Sequence, residues 1–267
     1  MDITVAIILG VVQGITEWLP VSSSGHLVIL QHLFGYENST SYDIMVHAGT
    51  LLAVILYFWK DFIMIVKNFL LTFVDITKEG KRAFVKTEDR RITWYIVIAT
   101  LPIVVVGLAI QDYVNDIFNS LVLVGSALII TGFWLISTMW KKGREKMNIK
   151  NSIWVGLAQS VAILPGISRS GSTISTAMLL NVDKNEAARF SFLLSIPAVA
   201  GAFTLEFITI PFHELTSTAN LIGFLTSFVV GILTIHFLLG VIKRGKFHLF
   251  AFYCWALGIA VVLYALK

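Results

Sequence analysis

Two short stretches of this 267-residue chain hold most of the side chains able to do chemistry together. The first runs from Gln13 to His26 and contains Glu17, Ser22, Ser23, Ser24, Gly25 and His26. The second runs from Pro165 to Thr173 and contains Gly166, Ser168, Arg169, Ser170, Gly171 and Thr173. A hydroxyl near an imidazole pairs a nucleophile with its base, and Ser23 stands three residues before His26. The other reading of a Ser-rich loop is capping, because Ser is a preferred N-cap and Gly permits close backbone approach. Pro20 and Pro165 cannot continue a helix, so each loop ends one helix and starts another. A helix N-terminus offers free N–H groups and a partial positive charge, and so binds anions. Two such termini together with Arg169 make a site for a multiply charged phosphate compound, which a planar guanidinium grips in bidentate fashion.

These groups sit in strongly apolar surroundings. Hydrophobic residues make up 57% of the chain, charged residues 13%, and the mean hydropathy is +0.82. Soluble domains carry roughly 25% charged residues. A soluble enzyme, a disordered chain and a collagen-like fibre are excluded. The apolar runs are long and continuous, unlike the alternating segments of a porin-type barrel. The net charge of +4 lies in loops between apolar runs, so it does not point to nucleic acid. The single cysteine, Cys254, excludes a disulfide framework and a Cys-based metal site. The opening Met1-Asp2 lacks the basic stretch of a cleavable signal.

An arginine at mid-membrane depth costs about 2.5–3.5 kcal/mol on insertion scales and persists only with a partner or ligand. Arg169 therefore pairs internally with Glu17, clamps a phosphate, or alternates between the two. Gln13 and Glu17 lie four residues apart on one helix face. Glu17 is either a protonated carboxyl packed among hydroxyls or a ligand to a divalent cation shared with phosphate oxygens. One carboxylate and one amide do not form a protein-only cation cage. Ser23 is either a covalent nucleophile or a phosphate contact while water attacks.

The elements that must hold these loops follow from hydropathy. A span needs about 20 apolar residues. Six segments qualify: 43–59 with an apolar extension to about 72, 92–111, 120–140, 187–210, 218–242 and 247–266. Residues 3–35 and 152–181 are instead interrupted by the two loops. Their halves are too short to span and read as re-entrant helical hairpins, tolerated at depth where they face protein or water. Lys and Arg number eight in 60–91, five in 141–150 and three in 243–246, with Lys184 and Arg189 nearby. The loops 36–43, 112–117 and 211–217 contain none and carry Glu37, Asp43, Asp112, Asp116 and Glu214. The positive-inside rule places the basic segments, including 183–189, in the cytoplasm, with both termini outside. The first hairpin then enters from outside and the second from inside.

That arrangement is an inverted-topology repeat, and the residues repeat accordingly. Gly10-Val11-Val12-Gln13 matches Gly156-Leu157-Ala158-Gln159, and Ser22-Ser23-Ser24-Gly25 matches Ser168-Arg169-Ser170-Gly171, at an offset of 146 that slips to 145 at the prolines. The fold expected is an all-α polytopic membrane protein with six transmembrane helices and two re-entrant hairpins. It forms one integral membrane domain over 1–267, with repeats at about 1–140 and 151–267 around a cytoplasmic loop at 141–150. Such repeats place the working site near the midplane. His47 starts a span and is a weaker candidate for the cavity. His32, His213, His236 and His248 read as interfacial or packing residues. Trp18, Trp59, Trp140 and Trp255 read as interfacial aromatics, and 75–91 as a solvated loop facing anionic lipid.

The stretch from Gln13 through Glu17-Trp18-Leu19-Pro20-Val21-Ser22-Ser23-Ser24-Gly25-His26 closely resembles the first signature of the undecaprenyl-diphosphate phosphatases of the BacA/UppP family. Pro165-Gly166-Ile167-Ser168-Arg169-Ser170-Gly171-Ser172-Thr173 resembles the second, and the likeness covers essentially the whole chain. The resemblance implies hydrolysis of a polyprenyl diphosphate at the outer face of the plasma membrane. The product is the monophosphate lipid carrier reused in cell-wall synthesis. It also implies a divalent cation, Mg²⁺ or Ca²⁺, a link to bacitracin resistance, and often a homodimer. By position, Glu17, Ser23, His26 and Arg169 match the family's essential set. Gln13 stands where many members have a first glutamate, which removes one metal ligand. Gln13, Ser22, Ser24, Gly25, Gly166, Ser168, Ser170, Gly171 and Thr173 complete the expected substrate-binding set, with Glu17 as the metal contact. The rival expectation is a lipid-phosphate transporter with the same anion site; it needs no acid–base pair. A structural subunit of a wall-synthesis complex is a third, against which the polar residues aimed at one point argue.

Overall fold

The computed structural model describes residues 1–35, 40–110, 120–207 and 210–267. Helix α1 (Ile3–Thr16) starts on an Asp2 cap and ends ahead of Leu19-Pro20, where proline forbids continuation. Helix α2 (Ser23–Leu33) turns back from it and packs against it. Helix α3 (Thr40–Tyr57) follows, then α4 (Trp59–Glu79) and α5 (Glu88–Ile110). Helix α6 is Leu121–Ile136. The second half opens with the pair α7 (Ile149–Val161) and α8 (Arg169–Leu179). It continues with α9 (Lys184–Phe207), α10 (Thr218–Lys243) and α11 (Phe250–Ala265).

Among the described residues, five helices are long and apolar enough to cross a membrane: α3, α5, α9 over Lys184–Leu205, α10, and Phe247–Ala265, which includes α11. The chain is a polytopic helical membrane protein. The expected span at 120–140 forms a helix of only 16 residues, about 24 Å long at 1.5 Å per residue. Residues 137–140 leave the helix as a turn, and Trp140 is 80% exposed. The apolar run after 59 does not prolong α3 either. Phe58 breaks the helix, and α4 runs as a separate amphipathic element in which only Thr72 is buried. The expected loop at 75–91 is largely exposed, as a solvated segment should be, but it is helical rather than irregular. It contains the end of α4 and a 3-10 turn at Gly80–Val85, closed by buried Arg90, which donates to Asp75 Oδ2 at 2.7 Å and to the Ala83 carbonyl at 3.0 Å. The hydrogen bond from Arg90 holds the Asp75 carboxyl below the usual carboxylate range. The expected acidic loop at 112–117 and residues 36–39 lie outside the described residues.

Packing crosses between the halves. Helix α10 packs on α1 and α3, while α7 packs on α5 and α8. Close approach explains the small residues: a Cβ on Gly10 would meet the Gly223 carbonyl at 3.0 Å, and one on Gly156 would meet the Ala99 Cα at 2.8 Å. Trp18, expected at an interface, is 1% exposed and stands edge-on to Phe192, with ring centroids 5.5 Å apart. The four basic segments meet at one end of the molecule. Lys146 pairs with Glu88 at 2.6 Å, Lys184 Nζ donates to the Lys243 carbonyl at 2.6 Å, and Arg189 pairs with Asp61.

Candidate active site

The tips of the two short helix pairs touch each other. Ser22 caps α2, its Oγ accepting from the Gly25 N–H, and Ser168 caps α8 by accepting from the Gly171 N–H. The equivalent serines thus do the same local work. Ser22 Oγ also accepts from the Gly166 N–H at 3.1 Å, which ties tip to tip. Thr131 on α6 braces the second tip by donating to the Gly166 carbonyl and accepting from the Ser168 N–H. Ser22 has φ 67°, a left-handed conformation costing about 1–3 kcal/mol in a non-glycine residue. Strain of that kind, held by surrounding contacts, clusters at functional sites.

Glu17 sits between the tips and is almost fully buried. Its Oε1 accepts from Arg169 Nη2 at 2.5 Å. Its Oε2 accepts from Ser23 Oγ at 2.6 Å and from Gln13 Nε2 at 3.1 Å. The ion pair open from sequence is therefore present, and the carboxylate is surrounded by donors. Arg169 is held over the Trp18 ring at 5.5 Å. The second guanidinium nitrogen, Nη1, is buried without a partner.

Glu17, Ser22, Ser23, Ser24, Ser168 and Arg169 line one cavity of about 350 Å³. Thr16, Asp43 and His47 add polar groups to its wall, while Ile103, Ala198, Val199, Ala202 and Phe203 make it apolar on the α5 and α9 side. The cavity borders the first two turns of α3 and the later parts of α5 and α9. It thus lies in the half of the molecule away from the basic segments.

Other expected site residues are arranged differently. His26 does not pair with Ser23 and does not line this cavity. Its Nδ1 is 2.7 Å from the Ser22 carbonyl and its Nε2 is 2.7 Å from Tyr253 Oη, with the two rings stacked. The backbone sets this: residues 22 and 26 bracket the first turn of α2, so the imidazole folds back on its own helix start. Ser170 Oγ reaches the Leu19 carbonyl, and Thr173 Oγ1 reaches the Arg169 carbonyl and Ser191. Both brace the tips rather than face the cavity. Gly25, Gly166 and Gly171 supply close approach there; Gly25 would place a Cβ 3.2 Å from the Gly166 Cα. Gln13 is buried behind Glu17. His47 is the residue that sequence reasoning ranked too low. Its place in an apolar helix start after an acidic loop was the available signal, and the structure puts Nε2 3.8 Å from Glu17 Oε2.

No group of three His, Cys, Asp or Glu side chains able to hold a metal occurs among the described residues. The donors around Glu17 are its own carboxylate, the Gln13 Oε1, buried without a partner, and His47, with Asp43 farther along the cavity wall. That set fits a cation shared with phosphate oxygens, not one caged by protein alone.

A family model described as bacitracin resistance protein BacA matches residues 6–260. A protein of Korarchaeum cryptofilum called an undecaprenyl-diphosphatase is 48% identical over 262 residues, covering 98% of this chain and 99% of the relative. Proteins of the same name from Methanosphaera stadtmanae and Alkaliphilus metalliredigens are each 40% identical over 271 residues, covering 98% of both chains. Likeness of this extent across almost the full length means that the chain belongs to the BacA family.

Proposed function

We propose that the protein hydrolyses a polyprenyl diphosphate, the undecaprenyl compound being the one its relatives' name specifies, to the monophosphate and inorganic phosphate. It would thereby recycle the lipid carrier of cell-envelope synthesis in the plasma membrane. The observation that carries this is the one cavity that Glu17, Ser23 and Arg169 line together, polar at the tips and apolar along α5 and α9. Arg169 Nη1 is buried without a hydrogen-bond partner, which is costly, and a phosphate oxygen would satisfy it once the guanidinium turns toward the cavity. The apolar wall suits the first units of a prenyl tail.

Arg169, the Ser168 hydroxyl and the first turns of α2 and α8 hold the phosphate oxygens and neutralise charge in the transition state. Ser23 Oγ attacks the terminal phosphorus while its proton passes to Glu17 Oε2. The bond to the bridging oxygen breaks, and the monophosphate leaves. Water then releases phosphate from Ser23. In the alternative route Ser23 only positions the phosphate, and Glu17 orients the attacking water. A divalent cation, Mg²⁺ or Ca²⁺, held by Glu17 and the substrate, would supply further charge neutralisation. Glu17 rather than His26 takes the proton because the described hydrogen bond runs from Ser23 to Glu17.

The two helix pairs read as re-entrant hairpins of an inverted repeat. Support comes from the matched serine caps and from α1 packing on α10 where α7 packs on α5. The cavity lies away from the basic end, which supports access from the extracytoplasmic side.

The test is phosphate release by purified protein in detergent from a polyprenyl diphosphate, with and without Mg²⁺ or Ca²⁺. Glu17→Gln and Arg169→Ala are run beside the wild type. Release that both substitutions abolish supports the proposal. No release from folded wild type across several chain lengths overturns it and leaves an anion site of the kind a lipid transporter uses.

A further inference from the structure

His47 comes to the site from α3, outside both tips. Its Nδ1 lies 2.7 Å from the Asp43 carbonyl, one turn back. A carbonyl only accepts, so Nδ1 carries the hydrogen and donates it. Nε2 then faces Glu17 Oε2 across 3.8 Å, too far for a hydrogen bond. With the ring neutral, Nε2 is a lone-pair donor, and two electron-rich atoms at this distance are bridged by an electrophile between them. The separation is within the reach of two ligand bonds of about 2.0–2.2 Å to one cation. A ring nitrogen free to ligate, with the other donating to a backbone carbonyl, is also how metal-bound histidines are usually oriented.

We infer that His47 Nε2 and Glu17 are two protein ligands of one divalent cation, with phosphate oxygens and water filling the other positions. The phosphate part rests on the hydrolysis proposed above; the two protein ligands do not. With no third acidic or imidazole ligand among the described residues, affinity is low until a diphosphate is present. An imidazole beside a carboxylate also shifts preference from Ca²⁺ toward Mn²⁺. His47 thus becomes the histidine of the centre, as a cation ligand and not in the acid–base role expected of His26.

Mn²⁺ is the probe, added to full-length protein in detergent with methylenediphosphonate as a non-hydrolysable diphosphate. Pulsed electron paramagnetic resonance should find one imidazole ¹⁴N coupled to Mn²⁺ in the wild type. The coupling should persist in His26→Gln and vanish in His47→Gln, with Mn²⁺ binding weaker by about 10-fold or more. Nitrogen coupling that survives His47→Gln overturns the assignment. So does Mn²⁺ binding without nitrogen coupling in the wild type, or no Mn²⁺ binding at all; an imidazolium–carboxylate pair would give one of these. Should His47→Gln fail to fold, ¹⁵N-histidine labelling of wild type and His26→Gln decides: absence of a histidine nitrogen signal in either overturns it. Phosphate release is measured on the same preparations. Release without nitrogen coupling removes His47 as a ligand and leaves hydrolysis standing. Coupling without release leaves the cation site and removes hydrolysis.

Discussion

Glu17 accepts from Arg169, Ser23 and Gln13 at once, so its neighbours respond differently to substitution. Arg169 uses one nitrogen on Glu17 and holds another buried without a hydrogen-bond partner, which the proposed function gives to a phosphate. A lysine has no planar fork and cannot do both. Arg169→Lys should lower phosphate release by about 10²-fold or more, as loss of a transition-state donor does. Turnover near wild type in a steady-state assay would remove the clamp. His26 poses a different question. Its Nδ1 holds the carbonyl of strained Ser22, which makes it a positioning residue in this geometry. Asparagine can place its amide where Nδ1 was. His26→Asn should keep release within about 10-fold of wild type, and His26→Ala should lose about 10²-fold or more, the range for removing a positioned acid–base group. Equal loss in both would return His26 to proton transfer. Ser23→Ala should abolish release, and a phosphoserine trapped by rapid quench would select the covalent route over direct water attack.

At the scale of the element, the tips are held by a few polar contacts and by glycine. Gly166 has φ +96°, and a Cβ there would press on the Val124 carbonyl and on Ala127 Cβ. Thr131 satisfies Gly166 and Ser168 together. Thr131→Val leaves a buried carbonyl and a buried N–H unmatched at about 1–3 kcal/mol each. The thermal midpoint in detergent should fall, and phosphate release should fall with it because Arg169 follows Ser168 directly. An unchanged midpoint would mean that α6 does not brace the tip.

At the scale of the whole molecule, the basic segments come together through Lys146, Lys184 and Arg189, and the cavity lies toward the other end. Cys254 is buried, so an added cysteine gives the main signal with a membrane-impermeant thiol reagent. Lys142→Cys should label only after cells are opened, and Thr216→Cys should label in intact cells; both native side chains are exposed. The opposite pattern would invert the proposed orientation and place the cavity mouth on the cytoplasmic side.

Hydropathy and charge placement sufficed for an all-helical membrane chain, because a span's length and composition are local properties set by the bilayer. They also located the two loops, since Pro20 and Pro165 stop helices wherever they fall. Length was less legible. The runs at 120–140 and beyond 59 are apolar, but a helix ends where its backbone turns, and Ser137 and Phe58 do so early. Neighbours in sequence proved a poor guide to neighbours in space at the site. Ser23 and His26 lie on one turn, yet the hydroxyl meets Glu17 and the imidazole meets Tyr253, 227 residues away. The pairing of Glu17 with Arg169 spans 152 residues, and its geometry was decided by the meeting of two tips. His47 shows the same limit: nothing in its own helix points to Glu17, and only the packing of α3 beside the first tip brings them within 3.8 Å. Local chemistry selects which residues start and stop helices. Which of them share a cavity depends on long-range contacts, paid for collectively by the whole packed bundle.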